Sequence, residues 1–173
     1  MLQILRTKSL SNVLNLFKIK TSFLLFCTLL ISFNLFSETK LIILGSGTPN
    51  PDPERYGSGY AVVVNDEAYI VDFGPGIVRR ISAMSPTWGG EFPSMELENI
   101  NTAFLTHIHS DHSGALADLI LTPWIMGRDE PLNLYGPEGL KAMSENITEA
   151  YIDDINYRLY GSQPATWRKC LQR

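Results

Sequence analysis

The sequence predicts a mixed α/β domain. Two observations carry that expectation. Short runs rich in β-branched and apolar residues recur at 40–44, 60–64, 68–71, 103–106 and 132–135, and stretches with helical spacing separate the later ones. All three histidines of the chain fall in one six-residue string, His107-Ile108-His109-Ser110-Asp111-His112, directly behind one of those strands.

The elements follow in order. Lys40-Leu41-Ile42-Ile43-Leu44 is a strand stopped by Gly45-Ser46-Gly47-Thr48-Pro49. That Gly-x-Gly is not a dinucleotide fingerprint: Pro49, Pro51 and Pro53 stand where the phosphate-binding helix would have to begin. Arg55 and Gly57-Ser58-Gly59 lead into a second strand, Tyr60–Val64. Asn65-Asp66-Glu67 reads as a hairpin connection to a third, Ala68–Val71. Asp72-Phe73-Gly74-Pro75-Gly76 ends it, and Ile77–Met84 has helical spacing. For Asp72 the spacing favours a structural role, capping the helix or bonding its own turn, over a role as ligand or acid. Residues 85–99 form a loop in which Trp88 and Phe92 either line a pocket or pack. The strand Ala103–Thr106, the histidine string, and a helix Ala115–Met126 interrupted near Pro123 come next. Leu132–Tyr135 is a last strand, and from Pro137 to Tyr157 the pattern reads as one helix.

The string points to metal chemistry. Imidazole is the commonest metal-binding side chain, and an aspartate adds a hard oxygen ligand. Alternation along an extended segment places His107 and His109 on one side, able to share an ion. Asp111 and His112 lie in the turn that follows, where the backbone can bring them to a second ion. Zinc is the default for such a set, although manganese and iron use similar ligands.

Charge and composition narrow the remaining possibilities. Formal net charge is −4, yet residues 1–37 carry Arg6, Lys8, Lys18 and Lys20 and no acid. Setting those four apart from the 14 basic residues leaves ten against 18 acids. So acidic a body argues against a nucleic-acid partner. Residues 21–37 contain no charge and are dominated by Leu, Phe and Ile, so 1–37 reads as an export signal or membrane anchor. The expected location is periplasmic or secreted, with membrane contact only through that segment. Cys27 and Cys170 offer neither a disulfide framework nor a thiolate site.

H-x-H-x-D-H behind an apolar strand resembles the signature string of the metallo-β-lactamase superfamily. Leu44-Gly45-Ser46-Gly47-Thr48-Pro49, with Arg55 and Gly57-Ser58-Gly59, is similar to the branch holding ribonuclease Z and arylsulfatase-like hydrolases. Ile70–Gly76 resembles that family's strand-then-Asp-Gly segment, so the likeness runs from about Lys40 to Tyr160. It implies an αββα sandwich, with His107 and His109 on a first zinc ion and Asp111 and His112 on a second. Asp111 would also orient or deprotonate the attacking water, whose pKa a divalent ion lowers toward about 7. The implied activity is hydrolysis of a small-molecule ester, sulfate ester or phosphodiester through metal-bound hydroxide; tRNA 3′-end cleavage is the alternative.

The chain departs from the family pattern after His112. No later histidine exists to complete the ligand set, and Asp153 and Asp154 fall on a predicted helix. The expectation is therefore an N-terminal half-sandwich over 38–173, truncated near Gly161. Whether such a half turns over substrate is open at this level, as is a non-catalytic remnant. A homodimer is one way for missing ligands to be supplied.

Overall fold

The structure is a computed structural model that describes residues 38–161, together with Asn15 and Lys18. The expected signal or anchor at 1–37, apart from Asn15 and Lys18, and both cysteines lie outside the described residues. Among the described residues no helix is long and apolar enough to cross a membrane.

Five strands form one sheet in sequence order: β1 (Thr39–Gly45), β2 (Gly59–Val64), β3 (Glu67–Val71), β4 (Thr102–Phe104) and β5 (Asn133–Tyr135). The first three are antiparallel, and β3, β4 and β5 run parallel to one another. The β2–β3 turn is a two-residue one. Asn65 and Asp66 adopt φ of 52° and 62°, the left-handed pair that matches strand twist and that short polar side chains tolerate.

Alternation along the strands divides the sheet into two unlike faces. Ala61, Val63, Ala68, Ile70 and Ala103 point to the face that forms the core. They share one apolar cluster with Ile77, Val78 and Ile81 of α1 (Ile77–Met84), and with Leu116, Leu119, Ile120 and Trp124 of α3 (Leu116–Met126). Each such aliphatic or aromatic side chain contributes about 1.5–3 kcal/mol on burial. The other face is apolar as well. The ladder places Ile43, Tyr60, Val71, Phe104 and Tyr135 in one row across all five strands. Ile43 is 64% exposed and Tyr135 54%, and the Phe104 and Tyr135 rings stack at 5.1 Å. A sheet with one covered and one open apolar face is one half of the expected sandwich.

Several boundaries differ from the sequence reading. The strand expected over Ala103–Thr106 leaves the ladder after Phe104, which frees Thr106 for the site. Residues 85–99 contain three short 3₁₀ turns. Helix α3 runs through Pro123 without a break. Proline removes the bond that its own N–H would give to Leu119. The guanidinium of Arg128, fully buried, donates to the carbonyls of Leu119 and Ile120 instead. The single helix expected to Tyr157 is two, α4 (Leu140–Ala150) and α5 (Ile152–Tyr160), joined at Tyr151. In α4 the side chains of Ser144, Asn146 and Thr148 bond carbonyls one turn back, a competition that bends helices.

Candidate metal centre

Register places the site. Val71 pairs with Phe104 at the parallel ends of β3 and β4, so the residues just beyond, Asp72 and Leu105-Thr106, leave the sheet side by side. The Asp72 N–H still donates to the Phe104 carbonyl at 2.8 Å. The carboxyl ends of parallel strands are where open α/β sheets ordinarily present ligands.

Asp72 is the centre of the hydrogen bonding there. It is 2% exposed and holds φ of 60°, a left-handed conformation uncommon for a residue other than glycine. Its Oδ1 accepts the Thr106 N–H at 2.8 Å, and the Thr106 hydroxyl donates to both oxygens, at 2.9 and 3.0 Å. Its Oδ2 lies 2.7 Å from Nδ1 of His112. The helix that follows has no side-chain cap, and its N-cap is Gly76. The expected capping or turn role for Asp72 is thus replaced by a role in the histidine cluster. Two cues were in the sequence, the Asp at a strand end and the Thr before the first histidine, but only the register brings them together.

The backbone of the string is held just as closely. His109 precedes a short helix, α2 (Ser110–Ser113), that carries Asp111 and His112, where the sequence suggested a plain turn. The Asp111 carbonyl accepts from Ser58 N–H at 2.9 Å and the His112 carbonyl from Phe73 N–H at 2.7 Å. Ala115 N–H returns a bond to the Phe73 carbonyl at 2.9 Å. Gly74 permits this approach: a Cβ built on it would lie 2.0 Å from the Asp111 carbonyl oxygen. The Gly57-Ser58-Gly59 and Asp72–Gly76 segments are therefore the two walls that clamp the string.

The side chains of the string lie against one another. The His107 and His109 rings meet edge to face at 4.6 Å between centroids, and His107 and His112 at 4.1 Å. Asp111 is largely buried, and its Oδ2 stands 3.5 Å from Nε2 of His112. Two ligands on one tetrahedral ion with bonds of about 2.0–2.1 Å are about 3.3 Å apart, so this pair could share an ion. Among the described residues, no three such side chains converge on one ion. The donor chemistry fits a divalent metal, and the string leaves coordination positions for ligands it does not contain.

Asp111 also borders a cleft of about 400 Å³ lined in part by Thr48, Asn50, Arg55, Pro75 and Ser110. Arg55 and Asp52, both on its wall, form an ion pair with Nε 3.4 Å from Oδ2. Other residues singled out in the sequence stand apart. Asp153 is exposed, Asp154 pairs with Arg158 at 2.9 Å, and Trp88 is 72% exposed. Phe92 packs against the core beneath the Lys40 ammonium.

Comparison with known proteins gives this arrangement a setting. The model of the metallo-beta-lactamase superfamily matches residues 52–150, which include the whole string. The protein named ribonuclease Z of Mycobacterium bovis (strain BCG / Pasteur 1173P2) is 32% identical over 123 residues, which is 69% of this chain and 41% of that protein. Ribonuclease Z of Mycobacterium marinum is 31% identical over the same length. Among solved structures, human tRNase Z, short form, has a TM-score of 0.56 at 24% identity, covering 66% of this chain and 41% of that one. A long-form RNase Z from yeast has a TM-score of 0.55 at 17% identity, covering 69% and 17%. This chain therefore spans about two-fifths of the curated relatives it matches. It aligns to their N-terminal part.

These relatives correct the expectation against a nucleic-acid partner, since they are named as nucleases of RNA and tRNA. Net charge averages over the whole surface and says nothing of any one place on it. The match over more than half of the chain, with a clamped histidine string at the end of a parallel strand, has one conclusion: the chain belongs to the metallo-β-lactamase superfamily.

Proposed function

We propose that this chain carries one half of the metal centre of a ribonuclease Z-type phosphodiester hydrolase acting on RNA. The observation that carries the metal centre is the His112 contact to Asp72, which turns Nε2 of the same ring toward the Asp111 carboxylate. The likeness to proteins named ribonuclease Z supports the choice of RNA. When bound, divalent zinc at such a site supplies a Lewis acid and a water acidic enough to attack at neutral pH.

The chain's own residues then have distinct tasks. His107 and His109 present imidazoles at one end of the string, and Asp111 and His112 present a carboxylate and an imidazole at the other. Asp111, at the border of the cleft, also orients the attacking water and takes up its proton. Arg55, with Thr48 and Asn50, offers positive charge and hydrogen-bond donors to a phosphodiester entering the cleft. The open coordination positions and the open sheet face call for further ligands and a second sheet, from another part of the fold or from a second copy of the chain.

The test is cleavage of a tRNA precursor carrying a 3′ trailer by the zinc-loaded chain. It is run alone and mixed with the C-terminal part of the M. bovis relative. Metal-dependent release of the trailer is the expected result. Failure in both settings, with metal bound, overturns the RNA assignment.

One observation favours a second reading. The charge-free run 21–37 behind Lys18 and Lys20 is suited to export, which would put the protein where tRNA precursors are absent. Turnover of an aryl sulfate or a bis-aryl phosphate without RNA cleavage, by protein recovered outside the cytoplasm, would establish an exported ester hydrolase instead.

A further inference from the structure

We infer that Thr106 is a positioning residue: its hydroxyl sets the tautomer of His107 and ties that ring to Asp72. The inference rests on the metal-site reading above, but the hydrogen bonding that carries it is present without a metal.

The argument is a proton count. A threonine hydroxyl has one hydrogen to give and can also accept. Thr106 Oγ1 lies 2.9 and 3.0 Å from the two oxygens of Asp72 and 3.0 Å from Nδ1 of His107. The Asp72 carboxylate only accepts, so the hydroxyl hydrogen goes to it; the reverse would press two bare oxygens together. Nδ1 of His107 must then carry a hydrogen and donate it to Oγ1. That leaves Nε2 of His107 with its lone pair free. The hydrogen bond made by one ring nitrogen decides what the other can do.

His112 reaches the same state by a direct route. Its Nδ1 lies 2.7 Å from Asp72 Oδ2, so Nδ1 donates and Nε2 is again the free nitrogen. One buried carboxylate thus prepares two imidazoles, His112 by contact and His107 through the Thr106 hydroxyl. The two routes separate cleanly in variants. Thr106→Val keeps the backbone N–H that bonds Asp72 at 2.8 Å and removes only the relay to His107. Asp72→Asn disturbs both rings.

The test uses the full chain with ¹⁵N-labelled histidine. Tautomers are read from long-range proton–nitrogen spectra without metal, and zinc affinity from chelator competition. The expected result is an Nδ1–H tautomer for His107 in the natural protein and a mixture in Thr106→Val, with His112 unchanged. Zinc affinity should fall about tenfold, the lower end of what loss of a ligand's hydrogen-bond partner costs, and Thr106→Ser should restore both. An Nε2–H tautomer for His107 in the natural protein overturns the inference without any variant. So does a Thr106→Val protein whose His107 tautomer is unchanged. If the natural chain takes up no zinc while the tautomer shift occurs, the positioning role stands and the metal-site reading fails. Should Thr106→Val not fold, Thr106→Ala gives the same comparison.

Discussion

Nδ1 of His112 lies 2.7 Å from Oδ2 of Asp72, although 40 residues separate them in the sequence. The contact ties the end of β3 to the short helix α2. Replacing Asp72 by asparagine keeps the shape but turns an amide NH₂ toward one of its donors. Zinc affinity should fall roughly 10–100-fold, as losses of a ligand's outer partner generally do. A chelator titration that finds the variant equal to the natural chain would show that His112 needs no such partner.

Gly74 makes a second prediction. A Cβ there would press on the Asp111 carbonyl, so Gly74→Ala should displace the backbone that carries Asp111 and His112. Overpacking of this kind costs roughly 1–3 kcal/mol. Thermal unfolding should show that loss, together with weaker zinc binding. Unchanged zinc affinity would mean that the string's position tolerates the shift.

Arg128 answers for the proline in α3. Arg128→Met keeps much of the volume but leaves the carbonyls of Leu119, Ile120 and Ile100 without its hydrogen bonds. A loss of roughly 2–4 kcal/mol is expected, since bonds to charged groups are worth about 1.5–3 kcal/mol each and burial prevents water from replacing them. Urea unfolding of the variant should record it. Pro123→Ala in the same background should recover part of the loss, because the ladder then gains its own donor.

Glu96 gives a pH dependence. Its carboxylate accepts the Thr87 N–H at 2.9 Å, and that bond holds its pKa below the ordinary carboxylate range. A lowered folded-state pKa adds stability above the unfolded value, and the addition is lost as pH falls through the folded one. The 3₁₀ segment from Pro86 to Asn99 should therefore loosen in acid, and Glu96→Gln should already be loosened at neutral pH. The protection of the Thr87 amide, its exchange rate relative to the free-peptide rate at each pH, tests this; protection that does not change with pH or substitution would remove Glu96 from the account.

The open sheet face should be adhesive. Ile43→Lys and Phe104→Lys place charges at the edge and within the apolar row, where exposed apolar area otherwise favours association. Sedimentation should find less self-association and fluorescent-dye binding should weaken, with the core unaffected. Equal association in the natural and substituted chains would locate the contact elsewhere.

Much of this molecule could be read without coordinates, and the unread part has a common cause. Ile77–Met84 was legible because its apolar residues recur at helical spacing, and the β2–β3 turn because Asn65 and Asp66 tolerate positive φ. The cluster of His107, His109, Asp111 and His112 was legible because its chemistry is crowded into six positions. What local pattern misses is long-range compensation. Pro123 signals a break, and the cancelling group is a guanidinium five residues later that folds back. Asp72 looked like a cap because its partners, Thr106 and His112, are distant in sequence. The chain's whole charge argued against RNA for the same reason, since an average carries no position.

The strand order has a consequence for how the chain is made. Each strand pairs with the one synthesised just before it, so no strand waits for a partner that is still to come. A chain emerging amino end first can close β1 to β3 as two hairpins while β4 is still unsynthesised. Asp72 stands at the end of that early piece, already turned into its left-handed conformation if the hairpins form first. The histidines then arrive at a receptor rather than assembling one. In refolding followed by hydrogen exchange, protection at Ala61–Ile70 should precede protection at Ala103. The histidine cluster would then close after the hairpins and before β5 adds the last strand.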